Sequence, residues 1–360
     1  MSLSISSSIP IITPVYAPLE VTIANSGCDY LELDIYVGDS SKGQYEGTKR
    51  TLRIINDSAV ADIQNIVQPF FESDASGVVE LKRIDIRGRS WLNDVSTQLY
   101  LDNYYVFNGV AHETFDPSTY VMDGNGNAQF LNRWDAPINI HWGDNDTKMY
   151  FFQGTFTNST GSYAANAPSF RVKKDGVLSA GYQFSSDTTP RIKEFNISPS
   201  SLNSLIPGLS ITSATKTYTV DPSQNTGNFG IKTVNIYSKD ERYIPKRIAW
   251  VDSFGCIDYF NFDLAQTNTV NVTRNIFNNN GVFKSFNNKV VDSYSITSNW
   301  ISEDESEALK DLWYSPSTMI DGKYVILSNK TVQVLKRRDV KLINYAVDYE
   351  MSNEYKVQIF

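Results

Sequence analysis

Apolar and polar residues alternate in short stretches along the chain, first in Leu31-Glu-Leu-Asp-Ile-Tyr-Val37, where every second side chain is apolar. Successive side chains of a strand point to opposite faces, so this period predicts a strand with one buried face. Gly38-Asp-Ser-Ser-Lys-Gly43 breaks it, and Thr51–Ile55 begins another β-rich run. From Ala61 to Val67 the apolar spacing shifts to three and four, which predicts a short helix or turn before Pro69. Leu99–Phe107 reads as a strand ending at Asn108-Gly109, a pair favoured in two-residue hairpin turns. Further strands are expected at 138–142, 148–152, 216–220, 233–237, 290–295, 324–327 and 342–349.

One segment has the signature of a helix, over 302–314. Ser302 is a good N-cap and Glu305, three residues on, completes a capping box. Glu303, Asp304 and Glu305 place negative charge at the positive end of the helix dipole. Ala308, Leu309, Leu312 and Trp313 share one face, and Pro316 stops the helix. The composition of Asn196–Gly208 suits a linker, and a second break is expected near Asn108. The expected organisation is therefore an N-terminal arm and β-domain at 1–108, a second β-domain at 109–208, and a C-terminal β-domain with the helix at 209–360. The fold class is mainly β: two or three antiparallel β-sandwich-like domains with one short amphipathic helix in the last.

Composition supports a packed β protein, because 41% of the 360 residues are hydrophobic and 13% are aromatic. A formal charge of −8 argues against the broad basic footprint of a nucleic-acid binder, and the single run Lys336-Arg337-Arg338 reads as a solvated face. No apolar run approaches the ~20 residues of a membrane helix, so no membrane insertion is expected. The opening MSLSISSSIPIITPVYAP has neither the basic start nor the long apolar core of a signal peptide, which points to synthesis in a cytosol. Cys28 and Cys256 fit no metal or disulfide framework and are expected as two buried thiols.

Catalytic chemistry finds little footing. His112 and His141 lie beside no nucleophile motif, and His141, alternating with Ile140 and Trp142, is expected to face solvent or a neighbour. Asp123-Gly-Asn-Gly-Asn127 resembles the start of a calcium loop, but Ala128 and Trp134 stand where its glycine and glutamate belong. No glycine loop fits a phosphate. Neither a catalytic residue nor a cofactor nor a metal is expected. Trp134, Trp142 and Tyr150 could form a sugar platform.

The most unusual stretch is Ala249-Trp-Val-Asp-Ser-Phe-Gly-Cys-Ile-Asp-Tyr-Phe-Asn-Phe-Asp263. It is followed by Trp300–Pro316 and by Asn344, Tyr345, Tyr349 and Glu350. In that order these elements resemble the C-terminal part of structural tail proteins from phages of Bacteroidota, including crAss-like phages. Trp250, Phe254, Gly255, Tyr259, Phe260 and Phe262 match the first element, and Trp300 and Trp313 fall in the second. Ile12-Thr-Pro-Val-Tyr-Ala-Pro18, Tyr30–Val37 and Tyr105–Val110 are similar to the opening of the same proteins. The resemblance implies a non-enzymatic virion component of a tail or baseplate, forming a homo-oligomeric ring and docking neighbouring tail proteins. Under it, these aromatic residues supply core and interface contacts, and Gly255 allows a bend between two strands. The alternatives from other classes are a carbohydrate-binding adhesin and a β-rich hydrolase using a carboxylate pair.

Overall fold

The structure, a computed structural model, describes residues 3–71, 79–110, 130–132, 136–159, 161–165, 169–222, 232–237, 244–329 and 343–352. It is mainly β. The N-terminal part contains β1 Ser4–Ser7, β2 Ile12–Pro14, β3 Glu20–Ala24, β4 Tyr30–Asp39, β5 Thr48–Ile54, β6 Ser58–Asp62, α1 Gln64–Val67, β7 Leu81–Leu92 and β8 Val95–Phe107. Its sheets run β1-β3-β6 and β2-β8-β7-β4-β5 and enclose a core of their own. The alternating residues Leu31, Leu33, Ile35 and Val37 all point into that core, as their period demands. On the opposite face Asp34 is fully buried beneath its neighbours. Burial alone would raise its pKa, but bonds from Thr51, Arg87 and Lys49 and the charge of Arg89 outweigh this and hold the carboxyl below its ordinary value.

The middle part contains β9 Ile138–His141, β10 Lys148–Asn158, β11 Gly161–Ala165, β12 Ser169–Lys174, β13 Val177–Gln183, β14 Arg191–Asn196, α2 Pro199–Leu205, β15 Thr217–Pro222 and β16 Lys232–Tyr237. The sheets β11-β10-β14 and β13-β12-β15-β16-β9 enclose an aromatic core in which Phe170 stacks on Phe195 and meets Phe184 edge-on. Strand pairing passes across residue 208. The stretch expected as a linker folds instead, because α2 buries Leu202 and the chain after it buries Ile206.

The remainder contains β17 Lys246–Val251, β18 Ile257–Phe262, β19 Ala265–Asn279, β20 Val282–Thr297, α3 Glu303–Ala308, α4 Lys310–Tyr314, β21 Thr318–Ile320, β22 Lys323–Leu327 and β23 Ala346–Met351. Its strands form one sheet in the order β18-β17-β21-β22-β23-β20-β19. The capping box at Ser302 forms as expected, but the helix breaks at Leu309 (ψ −10°) into α3 and α4. Leu309 and Leu312 stay buried, so tertiary packing outweighs helical continuity there. One large apolar cluster runs from Phe107 of β8 through the middle part to Trp250 and Tyr349, joining all three regions.

Candidate assembly surface

The aromatic stretch forms a hairpin. β17 and β18 pair with Trp250 opposite Asp258 and Val251 opposite Ile257, leaving 252–256 as a tight turn. Asp252 organises the turn: its Oδ1 accepts from the backbone N–H of Phe254 and of Cys256, both at 2.8 Å. Gly255 takes φ +71°, and a Cβ there would lie 1.8 Å from the carbonyl oxygen of Asn108, so only glycine fits. The N–H of Val110 in turn donates to the Ser253 carbonyl at 2.7 Å. The Phe254 ring lies parallel to Phe107 at 5.9 Å, and Phe107 meets Phe152 edge-on at 5.6 Å. The turn is thus the point where the N-terminal, middle and C-terminal regions meet.

Most of the residues singled out from the sequence are therefore packed inside one chain. Trp250 is fully buried, and Phe254, Phe260 and Phe262 are nearly so. Tyr259 is half-buried beneath the Arg247 guanidinium, 4.7 Å from its ring centre. Cys256 is buried, and that burial pushes its thiol pKa well up; Cys28 is only half-buried. Trp313 is partly buried against the main core, whereas Trp300 is exposed. His141 does not face solvent: it is buried, with Nε2 3.8 Å from Asp263 Oδ2. Tyr150 is buried too and cannot serve as a sugar platform, while Trp142 is partly exposed. His112, Trp134, Asp123–Asn127 and Lys336–Arg338 lie outside the described residues.

A polar cleft of about 650 Å³ separates the 143–147 loop from β17 and β18. Arg247 crosses it, with Nη1 donating to Asp144 Oδ2 at 3.2 Å and Nη2 to Thr147 Oγ1 at 3.0 Å. Asn261 Nδ2 donates to the same Asp144 oxygen at 3.0 Å. Asn132 and Asn139 make matching links, Asn132 Nδ2 donating to Asp258 Oδ1 at 2.9 Å and Asn139 Nδ2 to Glu305 Oε1 at 2.7 Å. Bonds between regions occupy these polar groups, and the cleft acts as a clamp. Among the described residues no group of three His, Cys, Asp or Glu is gathered to hold a metal ion.

The next hairpin is built differently. Among the described residues β20 pairs with β23 only over 293–297, and from Val270–Asp292 to the turn β19 and β20 pair with each other alone. Ten residues of β19 therefore project as a two-stranded arm of roughly 30 Å, at ~3.3 Å per residue. β19 is exposed along its whole length and forms an edge of the sheet. The arm exposes Ile276 and Phe277 on one strand and Val282 and Phe283 on the other, with Phe283 at 74%. Asn280 (φ +53°) and Gly281 (φ +80°) make its two-residue turn. Over 265–285 the sequence holds Arg274 and Lys284 and no acid, within a chain of net −8.

A groove of about 400 Å³ opens beside the 252–256 turn, walled by Tyr16, Val110, Val251 and Tyr314 with Asp252 and Asp311. Lys and Arg are absent from its lining. Tyr314 of α4 is 81% exposed at its rim, and the preceding α3 exposes Glu303, Asp304 and Glu307, the last paired with Lys310.

Sequence reasoning placed a strand at 290–295 but missed the arm. The signal was present: Val270 and Val272 alternate with polar residues, and Asn280-Gly281 is a strong turn pair.

No protein-family model matches the chain, and no curated protein matches it. Among solved structures it is similar to the E. coli chaperone DraB, at 10% identity over 66% of this chain and 97% of that one, with a TM-score of 0.21. It is also similar to the YadV chaperone, at 9% identity over 73% of this chain and 100% of that one, with a TM-score of 0.18. At such TM-scores the likeness carries no argument about function.

Proposed function

We propose that this chain is a non-enzymatic structural subunit of a phage tail or baseplate, which forms a homo-oligomeric ring and docks adjoining tail proteins. The projecting β19–β20 arm carries the reading. An isolated two-stranded hairpin is marginally stable in water, and a long open strand edge invites pairing with another chain. Apolar side chains exposed together on such an arm mark a surface meant to be covered. A body bonded across its internal junctions, with one extended arm, suits a subunit that grips a neighbour. The resemblance of Trp250–Phe262, Trp300–Pro316 and Asn344–Glu350 to tail proteins supplies the setting, a virion part made in the host cytoplasm.

Light scattering and negative-stain microscopy on the purified chain, with proteomics of particles, test the reading. The expected result is a discrete multiple of 40.6 kDa, ring-shaped in projection, and the chain present in particles. A strictly monomeric chain absent from particles would remove the proposal.

A further inference from the structure

Among the described residues β19 is an edge of its sheet, and all fifteen of its residues are exposed. An open edge invites a further strand, and charged residues or proline on it are what ordinarily prevent pairing. β5, an edge of the N-terminal sheet, is guarded in that way by Lys49, Arg50 and Arg53 within seven residues. β19 has Arg274 alone and no proline. The bulge of this hairpin lies on β20, which has one residue more than β19 between the pairs Thr273–Lys289 and Asn275–Phe286. β19 therefore alternates without a break, and Val270, Val272, Arg274 and Ile276 share one face with Asp292, the residue opposite Val270. Asp292 is the single acid from Ala265 to Asp292. Arg274 and Asp292 are both exposed, and roughly 13 Å of strand separates them, too far for a bond within one arm.

We infer that β19 of one copy pairs antiparallel with β19 of a second copy, about a twofold axis at Val272. Two independent features select that register. Val272 is the midpoint of Ala265–Asn279, so only there do all fifteen residues find partners. In the same register Arg274 of each copy lies opposite Val270 of the other, whose pairing partner on its own β20 is Asp292. Two strand spacings, roughly 10 Å, then separate Arg274 from Asp292. The arginine stem lies along Val270 and its guanidinium reaches the carboxylate, once on each side of the axis. Moving the axis by one residue sets Arg274 in line with Tyr294 or Val290 instead. A twofold contact closes at two copies, so this pairing goes beyond the ring reading: a ring needs a contact of its own, and the two together give an even number of copies.

Light scattering on full-length chains carrying Arg274→Asp, Asp292→Arg or both tests the contact. Both positions are exposed, so thermal unfolding is expected to stay unchanged. Each single reversal sets like charges together and is expected to halve the copy number, and the double reversal restores it. The register is read separately with a short bismaleimide in a Cys28→Ser background. Chains with Asn271→Cys, mixed with chains carrying Thr273→Cys, are expected to be joined, because these positions face one another beside the axis. Chains with Thr269→Cys, whose copies lie roughly 20 Å apart along the strands, are not. Single reversals that leave the copy number unchanged, or 271 and 273 left unjoined as when two arms pack face on face, overturn the β19 pairing. An odd-numbered ring overturns it and leaves the ring reading standing, whereas a dimer that grows no further supports it and removes the ring. A wild-type chain that is itself monomeric overturns both.

Discussion

The hairpins β17–β18 and β19–β20 follow one another in the chain, and both carry apolar residues among Asn and Asp. The first is buried against the middle region and joined to it through Asn261 and Arg247. The second projects past its sheet and is open along β19. What separates them is neighbours. β17 lies between β18 and β21, Phe254 stacks on Phe107, and the turn receives Val110, whereas at the far end of the arm β19 and β20 pair with each other. Burial thus marks the first hairpin as internal cement and leaves the second exposed, a distinction that composition does not make.

The sharpest way to break this comparison is to truncate one aromatic residue from each hairpin. Trp250→Ala is expected to cost about 3–5 kcal/mol of stability, as for large core aromatics. Phe283→Ala should change the unfolding of an isolated chain by no more than ~0.5 kcal/mol. Urea midpoints at a protein concentration where the chain is monomeric decide it; equal losses would mean the arm is packed within its own chain.

The two turn glycines give a smaller contrast. Gly281→Ala introduces a left-handed alanine in open space, costing about 1–2 kcal/mol. Gly255→Ala bears the same strain and also drives a methyl into the Asn108 carbonyl, adding roughly 1–3 kcal/mol. The difference between the two midpoints is the measurement, and equal effects would show that the junction yields easily. Smallest in energy is a labelling difference: Cys256 should resist alkylation until the chain unfolds, while the half-buried Cys28 reacts in the native state. Mass spectrometry of labelled peptides reads this directly, and rapid native labelling of Cys256 would contradict a closed junction.

Local signals were legible wherever one face or one bond decides the outcome. The period of two at Leu31–Val37 specified which side chains enter the core, and Ser302 with Glu305 specified where a helix starts. The two Asn-Gly pairs among the described residues show the limit. Asn280-Gly281 turns the arm, while Asn108-Gly109, of the same composition, makes no hairpin turn. Gly109 keeps a negative φ, and the Asn108 carbonyl packs against Gly255, 147 positions along the chain from it by number. His141 likewise alternates as a surface residue would, yet it is buried because β9 lies beside β16 and Asp263 reaches its ring.

By itself the sequence determined the β class and the capped helix start, since these follow from side-chain period and short-range hydrogen bonds. Only the tertiary structure decided that the aromatic stretch is an internal junction and that β19 of the following hairpin is exposed along its length. Burial is a sum over segments distant in the chain, and a residue's own neighbours in sequence carry little of it.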